Sequence, residues 1–177
     1  MSPTWAGRGR SLFWQVYILI LAALILCQLA LGWYMTRLDF YHRWYHSAPA
    51  IHKSVGLLTM ALVLVRLAEK LSRRVPPARS FLRSLRKSAY GTDYLFIYIL
   101  ILFVSVTGYS FATAKGNGIS FFGIFQVPPL IGWGEAAQKT LDRLHYLLAW
   151  GAFLVIIRHS VEKGLHAVRR KKRNNEN

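Results

Sequence analysis

The sequence has little cysteine and little negative charge. Cys27 is the single cysteine in 177 residues. One thiol makes no intrachain disulfide and no thiolate cluster for a metal, so Cys27 reads as a small core residue within an apolar run. Only seven residues are acidic against 23 lysines and arginines, a formal net charge of +16. Charge is also missing locally. Leu12–Tyr34 runs for 23 residues without a formal charge, and about 20 apolar residues at roughly 1.5 Å each cross the hydrocarbon core of a bilayer. The run is longer than the 7–15 or so apolar residues of a signal peptide, and no A-x-A cleavage site follows it. With 54% apolar and 14% aromatic residues, an ordinary soluble domain is excluded.

What is present is a patterned excess of cations. Lysines and arginines gather at Arg8 and Arg10, between Lys70 and Lys87, and from Arg169 to Arg173. The other segments between apolar runs are nearly neutral: residues 36–50 hold Arg37, Arg43 and Asp39, and residues 113–137 hold Lys115 and Glu135. Alternation of basic and neutral connections marks the cytoplasmic side of a membrane protein. The tail RRKKR is suited to an anionic lipid surface, so no nucleic-acid partner is expected.

The chain therefore reads as all-α, one integral membrane four-helix bundle over residues 1–177 with both termini cytoplasmic. Helices are expected at about 12–34, 51–71, 92–113 and 136–166, followed by a basic cytoplasmic tail over 167–177. Pro49 suits a helix start, and Pro76-Pro77 interrupts the basic connection. Trp33, Tyr34, Tyr41, Trp44 and Tyr45 form an aromatic belt at the far interface. The segment KGNGISFFGIFQVPPLIGWGE reads as a turn-rich outer loop.

Of the six histidines, His42 and His46 fall in an outer loop among aromatics and read as interfacial. His166, at the exit of the last helix, suits either snorkelling or a functional role. His52, His145 and His159 lie at or near membrane depth, where an ionisable side chain needs a partner. An inter-helix hydrogen bond is one such use. Another follows from depth: His52 opens the second helix and His145 lies about two turns into the fourth, both near the outer side. Two neutral imidazoles facing one another suit the axial positions of a haem iron. His159 follows His145 by 14 residues, roughly 21 Å along a helix and within about 40° of the same direction. One face of the last helix thus presents a histidine near each membrane surface. Zinc is less apt, since it collects about four ligands in one place. Arg66 follows His52 by the same interval and shares its face. It suits a haem propionate or a snorkelling role equally, while Lys53 reads as an interfacial lysine.

The stretches GWYMTRLDFYHRWYHSAPAIHKSVGLL (32–58), SFATAKGNGISFFGIFQVP (110–128) and LHYLLAWGAFLVIIRH (144–159) resemble the bacterial cytochrome b561 family, which includes superoxide oxidases and relatives of the b-type subunits of nickel–iron hydrogenases. The resemblance implies a haem b held by His52 and His145 near the periplasm, and a second haem near the cytoplasm with His159 as one ligand. Its other ligand would be a histidine early in the first helix, and a gapless alignment puts Ile18 there. Isoleucine cannot ligate iron, so one haem is expected and the second lacks an axial ligand. The implied function is one-electron transfer at the inner membrane, between a periplasmic or membrane partner and the quinone pool, with quinone, superoxide or a redox protein as partners. A haem-depleted membrane anchor or assembly protein, and a cytochrome subunit docking a redox enzyme, are the alternatives.

The charge pattern yields a direct test. Reporters fused at Asn177 and near Pro77 should be active only as cytoplasmic reporters; a periplasmic signal at either site would reverse the orientation.

Overall fold

The computed structural model describes residues 4–72 and 89–175. The Pro76-Pro77 break and most of the basic segment expected between the second and third helices lie outside the described residues. The observed elements are α1 (Thr4–Met35), α2 (Ser47–Ser72), α3 (Ala89–Thr113), β1 (Ile119–Phe121), β2 (Phe125–Val127) and α4 (Gly134–Asn175). Among the described residues, four helices are long and apolar enough to cross a membrane, over Leu12–Met35, Ser47–Ser72, Leu95–Thr113 and Gly134–His166.

Two helices extend well past the expected bounds. α1 begins eight residues earlier, and α4 carries the basic tail as helix to Asn175. Lysine and arginine are good helix formers, so apolarity marks the span and not the helix end. At the opposite ends of the bundle the chain turns tightly. Pro49 sits in the first turn of α2, where its missing N–H leaves no bond unmade.

The bundle packs α3 against both α4 and α2, and α1 against α2. Its buried core is Leu21, Val63, Tyr98 and Ile101, with Tyr17, Ile25, Leu62 and Ile156 packed around it. All four helices contribute. Most other large apolar side chains, such as Leu19, Leu26, Phe103, Leu147 and Leu154, face outward, as expected of a surface solvated by lipid. Cys27 also lies on this outer surface, contrary to its expected place in the core.

The connection from α3 to α4 is more ordered than a turn-rich loop. β1 and β2 pair antiparallel with Phe121 opposite Phe125. The reversal uses Phe122 and Gly123 at φ 48° and 77°, and Ile124 N–H donates to Phe121 O at 2.9 Å. Ser54 of α2 docks this hairpin. Its hydroxyl accepts from Phe122 N–H at 3.0 Å and lies 3.1 Å from Ser120 O. At the base of the connection Gly134 N–H donates to Ala114 O, and Lys115 pairs with Glu135 at 2.8 Å. Tyr109 OH donates to Pro128 O and accepts from Leu130 N–H.

Ser54 is buried, so its alanine variant leaves the Phe122 N–H without its partner, at a cost of about 1–3 kcal/mol. Ser54→Ala should increase protease cleavage within residues 115–131 while helical circular dichroism stays unchanged. Equal cleavage of the two proteins would show that the latch does not hold the hairpin.

Candidate functional site

His52, six residues into α2, and His145, twelve residues into α4, are brought together. Their ring centroids lie 6.3 Å apart with the planes at 83°, and both residues are half-buried. A metal shared end-on by two imidazoles separates their centroids by roughly 6 Å, two bonds of about 2 Å plus the ring radii. The spacing is therefore that of two axial ligands, while a direct ring-to-ring hydrogen bond is not observed.

His145 is oriented by α3. Its Nδ1 lies 2.9 Å from the backbone oxygen of Val104. A carbonyl only accepts, so Nδ1 carries the proton and Nε2 is left with the lone pair a metal needs. Thr107 Oγ1 stands 3.5 Å from the same nitrogen. That carbonyl and threonine come from adjacent turns of α3, which makes the orientation a property of the helix packing.

Two glycines make room for the rings. A Cβ on Gly108 of α3 would come within 2.7 Å of His145 Cε1, and one on Gly32 of α1 within 3.3 Å of His52 Cε1. Each imidazole is thus packed against bare backbone of a neighbouring helix. The paired imidazoles and their spacing would suit a haem iron bound between them. They do not fit zinc: among the described residues no three of His, Cys, Asp and Glu gather where one ion could reach them.

The other predicted residues fall elsewhere. His159 is buried on α4, about 21 Å further along the helix. Ile18, set opposite it by the gapless alignment, is 37% exposed and faces outward. The inward side chain of that turn is Tyr17, which packs against the core and whose hydroxyl donates to Leu62 O. The two are adjacent in sequence, and one residue turns a helix by about 100°. Arg66 is committed to protein partners. It pairs with Glu69 at 2.5 Å, and its guanidinium lies 4.4 Å from the Trp14 ring centre. His42, His46 and His166 are exposed. Beside the first turn of α2 is a cavity of about 350 Å³ lined by Met35, Leu38, Tyr45, His46, Pro49 and Lys53, which the sequence alone did not reveal.

The family model described as prokaryotic cytochrome b561 matches residues 19–175. Cytochrome b561 homolog 2 of Escherichia coli (strain K12) is 31% identical over 138 residues, covering 78% of this chain and 73% of the relative. No solved structure matches the chain.

The glycine at 108 gives a prediction. Gly108→Val should displace the His145 ring and break its bond to Val104, costing about 1–3 kcal/mol of packing strain. Thermal unfolding in detergent should register the loss. Gly151→Ala, on the same bundle with nothing within 4 Å of the added Cβ, should leave the midpoint unchanged. Equal midpoints in all three proteins would mean that the ring is not wedged.

Proposed function

Because the chain belongs to the prokaryotic cytochrome b561 family, membrane b-type cytochromes that carry electrons, we propose that it holds one haem b between His52 and His145 and exchanges single electrons at the hairpin end of the bundle. It is a multi-pass protein of the bacterial inner membrane, in contact with lipid. The observation that carries the proposal is the 6.3 Å spacing of two imidazoles on facing helices, one of them fixed in its tautomer by Val104.

When bound, haem b supplies a one-electron couple. The chain's residues do the rest. His52 and His145 would hold the iron between them, and with two imidazoles bound it would have no open site for oxygen. The apolar helix faces exclude water, and a drier, less polar setting raises the cost of the ferric charge. The hairpin docked on Ser54 sits close to the His52 turn. The cavity lined by Lys53, His46, Met35 and Leu38 offers a cation beside apolar walls, which would suit a quinone head group or superoxide. On the positive-inside rule this end would be periplasmic and both termini cytoplasmic, in a single membrane domain over residues 1–177.

The opposite half of the bundle supports a single haem. At that level Tyr17, Leu21, Val63, Tyr98, Ile101 and Ile156 pack against one another, and Arg66 is engaged by Glu69 and Trp14. α1 offers His159 an inward tyrosine in place of a histidine.

A reduced-minus-oxidised spectrum with a haem-to-protein ratio tests this. The unmodified protein should bind about one low-spin haem per chain, and His52→Ala or His145→Ala should abolish the low-spin signal. Full signal in both variants would refute the ligand pair. Two bis-histidine haems per chain would refute the single-haem reading, and no haem at all would leave the anchor reading standing.

A further inference from the structure

The two imidazoles are not held alike. His145 Nδ1 has the Val104 carbonyl, whereas His52 Nδ1 is buried without a hydrogen-bond partner. On α1, Oε1 of Gln28 is also buried without a partner. One atom can donate and the other can accept, and both belong to the contact between α1 and His52.

The Gln28 side chain is already tied to this residue. Its Nε2 donates to the backbone oxygen of His52 at 3.0 Å. A carbonyl only accepts, so the amide nitrogen must face it and the amide oxygen is left on the other side. Gly56 seats the amide, since a Cβ there would come within 3.0 Å of Nε2. One turn along α1 from Gln28, Gly32 meets the ring itself. A Cβ on it would lie 3.3 Å from His52 Cε1 and 3.9 Å from Nδ1. Residues four apart share a helix face. A single face of α1 therefore touches both the backbone of His52 and the ring edge that carries Nδ1.

We propose that Gln28 is the positioning residue of His52, its Oε1 accepting a hydrogen bond from Nδ1–H when Nε2 ligates the haem iron. The inference rests on the reading of His52 as a ligand. It gives His52 the same kind of outer partner that Val104 gives His145. A bond between the two atoms would need the amide and the ring to turn toward each other. Accepting from Nδ1–H makes the imidazole more electron-rich. That favours the ferric state and lowers the reduction potential.

The test is a redox titration of haem-loaded protein in detergent, unmodified and as Gln28→Met, with haem content measured alongside. Methionine keeps the volume and removes the amide acceptor. Its midpoint potential should rise, and a tenfold change in the ferric-to-ferrous preference reads as about 59 mV for one electron. An unchanged or lower potential at full haem content would overturn the inference. Should the methionine variant fail to retain haem, Gln28→Glu, which keeps an acceptor, decides: haem retained at a lowered potential supports the inference, and lost haem or an unchanged potential overturns it. The ligand reading fails separately, through a low-spin signal that survives His52→Ala.

Discussion

A polar group in hydrocarbon must find its partner within the protein, and this constraint shapes the helix contacts around the site. His145 meets it with a backbone oxygen of α3. Thr59, Thr107, Thr113 and Ser105 meet it by donating to carbonyls three or four residues back on their own helices. Tyr17 reaches across to a carbonyl of α2. Backbone oxygens serve repeatedly as acceptors because the sequence has few acidic side chains to offer at this depth. Reaching another helix's backbone demands close approach, and small residues allow it: Gly108 faces His145, Gly32 faces His52, and Gly56 faces Gln28. Without lipid-exclusion forces to press helices together, packing of this kind is the main attraction available between them.

The spans were legible in the sequence because the bilayer imposes a length, and charge-free runs of that length are conspicuous. Helix ends were not, because the tail from Arg169 to Arg173 is polar without being a poor helix former, and α1 continues back through Gly7 and Gly9 despite their low propensity. The hairpin was illegible for a different reason. Its strands, ISF and FQV, are three residues each, and an alternation that short does not mark a strand. What specifies them is a buried serine 65 or more residues away in sequence, together with a turn that uses φ > 0 at Phe122. A phenylalanine in that region is uncommon, and no short-range turn signature announces it.

The site was legible in part. Depth alone paired His52 with His145, because position along a span converts directly into height. Facing is harder to read, since an error of one residue rotates the side chain by about 100°. Ile18, 37% exposed, and the inward Tyr17 differ by one such step. Gln28 and the three glycines carried no signal of their own. A glutamine in an apolar run reads as a blemish, and its meaning lies in a carbonyl of another helix.

The two halves of the bundle follow from the same chemistry with different residues. Near the hairpin, glycines withdraw side chains from between the helices, and polar atoms without partners remain. Toward the other end, Tyr17 and Tyr98 fill the corresponding space, Lys70 lies over the Tyr98 ring at 5.4 Å, and Arg66 is neutralised by Glu69. The first environment sets two imidazoles against bare helix backbone. The second fills its core with aromatic and aliphatic side chains. Moving an electron from one membrane face to the other needs a centre in each half, because transfer falls off steeply across roughly 20 Å of packed helix. On the proposal of a single haem near the hairpin, donor and acceptor would both meet that end.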